Sequence, residues 1–214
     1  MGGKIPKTSL SFGGIPLLRH TLQKFEACGQ VDEVIPLVPS EELSFWTDEI
    51  VRPSMFKKVK AVLAGGAERQ NSVFLGLKAI AGNADWVIIH DGARPFVPPE
   101  LIDRVLRATR RWKAVAAALP AGETIKEVSA EREVLRTVDR GSLWMVQTPQ
   151  AFEYRLIVTA NEKAEEDRFG GTDDASLVER LGIPVRVVEG SRLNFKITTP
   201  EDLALGEALL KVLK

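Results

Sequence analysis

The feature that most constrains this chain is an alternation. Short apolar, β-branched runs recur at DEVIPLVP (32–39), VKAVLAGG (59–66), DWVIIHDG (85–92), KAVAAALP (113–120) and PVRVVEG (184–190). Between them lie stretches of helical character, EELSFWTDEIV (41–51), RQNSVFLGLKAIAG (69–82) and PPELIDRVLRATRRW (98–112). In the second of these, Val73, Phe74, Leu77, Ile80 and Ala81 fall at helical spacing. Runs that are apolar throughout, rather than at every second position, are buried on both faces. Alternating with helices, they predict an α/β, Rossmann-like fold, a mostly parallel sheet with helices on both faces. The chain is long enough, at 214 residues, to bury a substantial core as one domain over 1–214. Further helices are expected at GIPLLRHTLQKF, after LWMVQTPQAF (143–152) as far as about Lys163, and at TDDASLVERLG, which Thr172 or Asp173 can cap. A last helix opens at Thr199-Pro200-Glu201-Asp202, a cap followed by proline at the first helical position and acids in the first turn.

Charge and composition exclude several classes. Lys plus Arg and Asp plus Glu both number 29, so the chain lacks the basic excess of a nucleic-acid binder. A single cysteine, Cys28, forbids an internal disulfide and fits a reducing, cytoplasmic setting. It reads as a buried structural thiol. With two histidines besides, a zinc site is disfavoured. No run approaches the roughly 18 apolar residues of a membrane span, and no signal-peptide pattern opens the sequence.

In parallel sheets the working loops lie beyond the carboxyl ends of the strands. Here those ends are Gly65–Gly66, Asp91–Gly92 and Pro120–Gly122. The run VIIHDGARPFV (87–97) thus carries Asp91 and Arg94 to the rim where a ligand is expected. Region 121–142 breaks the rhythm and reads as two strands, 123–128 and 132–138, around a polar turn. Two strands alone are marginal in water. This arm needs a partner surface, either its own domain or a second copy of the chain. Loop positions also hold Lys7, Ser72, Arg140, Thr148, Thr172, Asp173 and Lys196. Basic, hydroxyl and carboxylate groups together suit a phosphorylated substrate and a metal ion. Each residue also has a plainer reading: Thr172 and Asp173 as helix caps, Asp91 and Arg94 as a local ion pair, Ser72 as a first-turn residue, Lys7 as a solvated side chain. Only joint placement lifts the functional one. His20 falls in a helical pattern and His90 in a strand, so neither reads as a general base, and no Walker loop or G-x-G-x-x-G is present.

The blocks GGAERQNSVFLGL, VIIHDGARPFV, TVDRGSLWMVQTPQAF, TDDASLVERLG and NFKITTPEDL resemble, in this order, the 2-C-methyl-D-erythritol 4-phosphate cytidylyltransferase family of the non-mevalonate isoprenoid pathway. The resemblance runs from GGKIPK to the C-terminus. It implies transfer of CMP from CTP to methylerythritol phosphate with release of pyrophosphate, using Mg²⁺. It implies that cytosine is read by backbone groups near Gly65, Gly66 and Ala67, with help from Ser72; many relatives carry Asp where this chain has Ala67. Asp91 is implied beside Mg²⁺ at the join of the two substrates, with Lys7 at the α-phosphate and Lys196 between the phosphates. Arg94, Thr124, Arg140, Thr148 and Thr172 are implied as holding the sugar phosphate. The family uses the arm across a homodimer, so Thr124 and Arg140 would serve the neighbouring site. Two alternatives stand beside this reading: transfer to ribitol 5-phosphate, and a catalytically impaired nucleotide-binding homologue.

Family members open with a strand and a glycine-rich loop, A-A-G-x-G-x-R, ahead of the Pro-Lys pair, whereas Met1 here stands almost at Pro6-Lys7. On the order of a dozen residues would precede it. A sheet lacking that strand would leave buried backbone groups unpaired, each costing roughly 1–3 kcal/mol. The expectation is that active material has a longer N-terminus, with an intact mass above that of the 214 residues.

Overall fold

A computed structural model describes residues 10–51, 55–80 and 84–213. A two-residue hairpin, β1 (Ser11–Phe12) and β2 (Ile15–Pro16), leads into α1 (Leu17–Ala27). Then come β3 (Leu37–Val38), a 3₁₀ turn (Ser40–Glu42), α2 (Leu43–Trp46), a π turn (Thr47–Val51), β4 (Leu63–Ala64) and α3 (Arg69–Ile80). The middle of the chain supplies β5 (Trp86–Ile89), α4 (Pro99–Trp112), β6 (Ala114–Pro120), β7 (Ile125–Val128), β8 (Val134–Val138) and β9 (Trp144–Glu153). It closes with α5 (Tyr154–Glu166), α6 (Asp174–Arg180), β10 (Arg186–Glu189) and α7 (Pro200–Val212).

The fold is α/β, and its main sheet has the order β10-β6-β9-β5. β10 runs parallel to β6, and β9 runs antiparallel to both β6 and β5. β5, β6 and β10 therefore share one direction, and β9 is a reversed strand inserted between two of them. β3 and β4 form a separate parallel pair, extended by a bridge from Val34 to Val59. β6 shows why the sheet has helices on both faces. Val115 and Ala117 pack with Phe25 of α1 and with Leu101, Ile102 and Val105 of α4. Ala114 and Ala116 turn the other way, onto Ile157 and Ala160 of α5, Leu177 and Val178 of α6, and Phe152 of β9. Small side chains on a doubly covered strand let both helix layers approach it.

Three expectations are corrected. The stretch 41–51 is not one helix but three short windings. Thr47 donates its hydroxyl to the Leu43 carbonyl, and both Trp46 and Ile50 are driven fully into a core cluster, so packing overrides uniform propensity. The runs 32–39 and 59–66 pair over only two residues each. Pro36 and Pro39 lack the N–H that a longer ladder would use. Segment 143–152, to which periodicity assigned no element, supplies β9. Its Pro149 argues against an interior strand, but the β6–β9 register shifts between Ala116 and Ala118, so the proline falls in an irregularity rather than in a regular ladder. The Thr148–Pro149 peptide there is cis.

The arm forms as an antiparallel β7–β8 pair. Val128, Val134 and Leu135 on it, and Trp144, Met145 and Val146 at the start of β9, are exposed. At the other end, Thr199 and Asp202 make a reciprocal capping box on α7, with Pro200 at its first position.

Phe152 is wholly buried between β5, β6 and α5. Phe152→Ala is expected to lower unfolding stability by about 3–5 kcal/mol, read by urea denaturation.

Candidate active site

β5 delivers Asp91 to the sheet rim, one residue past His90. The loop after it is tightly pinned. The Asp91 N–H donates to Thr148 Oγ1 (3.0 Å), and the Arg94 N–H donates to the Asp91 carbonyl (3.0 Å). His90 packs on Phe25 and donates from Nε2 to the Arg94 carbonyl at 3.2 Å. Burial pushes its imidazole down to about 4, so it stays neutral and serves as packing and loop support rather than as a cation.

The Asp91 carboxylate is the centre of the charge distribution. Oδ1 accepts from Arg69 Nε at 2.9 Å. Oδ2 lies 2.9 Å from Lys196 Nζ and 3.4 Å from Arg94 Nε. Burial opposes its charge, but Arg69 and then Lys196 overcome that and hold the carboxyl well below the ordinary carboxylate range. Arg94 Nη1 donates to the Asn194 carbonyl (2.8 Å), and Asn194 Nδ2 donates to the Thr148 carbonyl (2.7 Å). Gln147 Nε2 donates to the Ser191 carbonyl, and its Oε1 accepts from Asn194 Nδ2. The loop carrying Lys196 is thereby clamped to β9 and to the Asp91 turn.

Behind Asp91 lies a second carboxylate. Arg69 Nη2 donates to Asp174 Oδ2 at 2.7 Å, and the Asp174 side chain is only 2% exposed. Burial pushes the Asp174 carboxyl up, against the pull of Arg69. Asp173 caps α6, accepting from Ser176 N–H at 3.0 Å, and takes a further bond from Gln150 Nε2 at 2.8 Å. Thr172 stands exposed just ahead of it.

Beside this cluster runs a cleft of about 530 Å³, lined by Val38, Pro39, Ser40, Gly65, Gly66, Ala67 and Ser72 among others. Ser72 Oγ accepts from the Gly66 N–H at 3.0 Å, and the Gly65 N–H donates to the Val38 carbonyl at 2.7 Å. A Cβ on Gly65 would come within 2.7 Å of Ser72 Oγ, and one on Gly66 within 2.5 Å of Asn71 Cβ. The loop needs glycine at both positions for close approach, not for an unusual dihedral angle.

The structure therefore gathers Asp91, Arg94, Thr148 and Lys196 at one rim and Gly65, Gly66, Ala67 and Ser72 in the neighbouring cleft. The plainer reading of Asp173 also holds, since it caps α6. Thr124 and Arg140 lie on the exposed arm, apart from the hydrogen-bond partners of Asp91; the Arg140 guanidinium closes the arm's base on the Gly122 carbonyl. Lys7 lies outside the described residues. Sequence reasoning missed Arg69, Asp174, Gln147, Gln150 and Asn194. Arg69 had a signal, since a cation in the first turn of a helix opposes the helix dipole and calls for an anionic partner.

The chain matches the family model described as 2-C-methyl-D-erythritol 4-phosphate cytidylyltransferase over residues 1–212. It is 48% identical over 206 residues to the protein of that name from Syntrophus aciditrophicus, covering 96% of this chain and 88% of that one. It is 45% identical to the one from Geobacter metallireducens, over 99% of this chain and 92% of that one. Among solved structures it is similar to the Thermus thermophilus cytidylyltransferase of the same name, with TM-score 0.82 and 38% identity over 96% of this chain and 94% of that one.

The pH response of stability follows from the Asp91 cluster. A depressed folded pKa contributes stability above the unfolded value, about 3.9, and that contribution is lost as pH falls through the folded value. Asp91→Asn is expected to be less stable than the parent at pH 7. The two melting curves should converge as pH falls below about 4. A gap that stays constant down to acid pH would contradict this.

Proposed function

The chain belongs to the 2-C-methyl-D-erythritol 4-phosphate cytidylyltransferase family, and we propose that the Asp91 rim and the adjoining glycine cleft are where it performs that family's reaction. The protein transfers CMP from CTP to 2-C-methyl-D-erythritol 4-phosphate and releases pyrophosphate, a step in isoprenoid precursor synthesis. The observation that supports this placement is the convergence of Arg69, Arg94 and Lys196 on one rim carboxylate beside a cleft lined by Gly65, Gly66 and Ser72.

A phosphate oxygen of the alcohol phosphate attacks the α-phosphorus of CTP in line, and pyrophosphate departs. The nucleophile is already anionic, so no general base is required. The difficulty is to bring two polyanions together and to stabilise charge as it grows at phosphorus, a matter of positioning and electrostatics. Lys196 and Arg94 suit both needs. Paired with Asp91 before substrate arrives, they are held in place and can exchange that partner for phosphate oxygens. Cytosine lies in the Gly65–Ser72 cleft. The Gly65 and Gly66 N–H groups are already bonded to the Val38 carbonyl and Ser72 Oγ, so the backbone carbonyls of the loop are the groups that discriminate, by leaving a wrong base unpaired. Thr148 supports the turn from beneath through the Asp91 N–H, and Thr172 faces the alcohol phosphate.

For the divalent cation, the donor set decides the fit. Among the described residues no cluster of three or more His, Cys, Asp or Glu side chains could cage a metal ion. A lone rim carboxylate nevertheless suits Mg²⁺, which is commonly held by one or two carboxylates together with substrate phosphates. Asp91 would hold it there, and the ion would neutralise charge on the triphosphate.

The exposed apolar side chains of the arm supply the dimer contact of this reading, with Thr124 and Arg140 reaching the partner's alcohol phosphate. Among the described residues no helix is long and apolar enough to cross a membrane.

Two measurements check this account. With CTP and Mg²⁺, pyrophosphate release is expected with methylerythritol phosphate and not with ribitol 5-phosphate, and Lys196→Ala should lower kcat by about 10²–10³ without loss of folding. Wild-type turnover in a well-folded Lys196→Ala protein would refute the placement. Leu135→Glu, on the exposed arm face, should shift the protein from dimer to monomer in analytical ultracentrifugation and reduce turnover; a dimer that persists would remove the arm from the interface.

A further inference from the structure

Arg69 begins α3, where the helix dipole disfavours a cation, so the helix itself gains nothing from it. Its guanidinium is instead held by two carboxylates, donating Nη2 to Asp174 Oδ2 at 2.7 Å and Nε to Asp91 Oδ1 at 2.9 Å. A rigid fork that serves two acceptors at once is a property of arginine, not lysine.

We propose that Arg69 is a positioning residue that keeps the Asp91 carboxylate fixed in place while substrate phosphates draw Lys196 and Arg94 away from it. This rests on the cytidylyl-transfer reading above. The two carboxylate oxygens divide the partners. Oδ2 faces Lys196 and Arg94, the cations that turn to phosphate, whereas Oδ1 faces Arg69. Arg69 has its own buried anchor in Asp174, on a different element, so it is not free to follow them. Once Lys196 and Arg94 engage substrate, Arg69 is the side-chain cation left on Asp91 among the described residues, beside any divalent ion that the substrate phosphates bring.

Arg69 also sets a register. Ser72 lies three residues further along α3, on the same helix face, and accepts the Gly66 N–H. The first turn of α3 therefore fixes the cytosine cleft through Ser72 and the transfer rim through Arg69. Loss of Arg69 should spare nucleotide binding and damage the chemical step.

The test compares Arg69→Lys, Arg69→Met, Asp174→Asn and the double variant Arg69→Met/Asp174→Asn in the full chain. It uses steady-state kinetics with CTP and methylerythritol phosphate, CTP binding by calorimetry and thermal melting. Arg69→Lys keeps one ion pair but not the fork. It is expected to fold, to bind CTP within about threefold of the parent and to lose about tenfold or more in kcat. Arg69→Met should lose about 10²-fold. Asp174→Asn should lose severalfold, and the double variant should be no slower than Arg69→Met, because both act through one contact.

Wild-type kcat in Arg69→Lys overturns the proposal. So do losses that track the fall in melting temperature and vanish on cooling, and so do strictly additive effects of Arg69→Met and Asp174→Asn. If Arg69→Met does not fold, Arg69→Lys decides the matter. Absence of turnover in the parent protein counts against the transfer reading itself, whereas a fast Arg69→Lys variant counts against Arg69 alone.

Discussion

One carboxylate holds this rim together. Asp91 pairs with Arg69, Arg94 and Lys196, cations contributed by α3, by its own loop and by the loop before α7. Without it, only Asp174, on Arg69, would be left to balance three like charges at a partly buried site, and the repulsion between Lys196, Arg94 and Arg69 would splay the loops that carry them. The same pairing that stabilises the resting protein stores cationic groups for a reaction between polyanions. Exchange of partners, from carboxylate to phosphate, needs little reorganisation because the cations are already aimed at one point.

The sheet explains why that point lies where it does. β6, buried on both faces, anchors the helix layers, and β9, inserted in reverse between β6 and β5, brings Thr148 under the Asp91 turn. A reversed strand in a sheet of otherwise common direction places side chains from its middle next to a neighbour's carboxyl end. Thr148, Gln147 and Gln150 reach the rim, the Lys196 loop and the cap of α6 by this means. The irregularity around Pro149 is thus part of how the site is supported.

Much of this was legible in the sequence and some was not, for identifiable reasons. The runs ending at Asp91 and Pro120 declared themselves, because doubly buried strands are continuously apolar. Asp91, Arg94, Ser72 and Lys196 followed from their places at loop positions; the first two and Lys196 are observed to meet, and Ser72 lines the cleft beside them. The Arg69–Asp174 pair joins residues 105 positions apart, and no local pattern announces such a contact. Only the oddity of a cation opening a helix hinted at it. β9 was hidden by its proline, and the broken winding at 41–51 by the burial of Trp46 and Ile50, which periodicity alone does not weigh. Arg140 was visible only as a loop cation and Thr124 could be named only by resemblance, since their place on an arm says nothing about a site in the same chain.

The most direct measurement is of Asp91 itself. Its carboxyl carbon can be followed by NMR as pH is lowered in ¹³C-labelled protein, with the resonance assigned by its absence from Asp91→Asn. The account predicts that Asp91 remains ionised at pH values where ordinary aspartates, with pKa near 3.9, have already taken up a proton. A midpoint at or above that ordinary value would mean that the three cations do not converge on this carboxylate in solution, and the account of the site would fail.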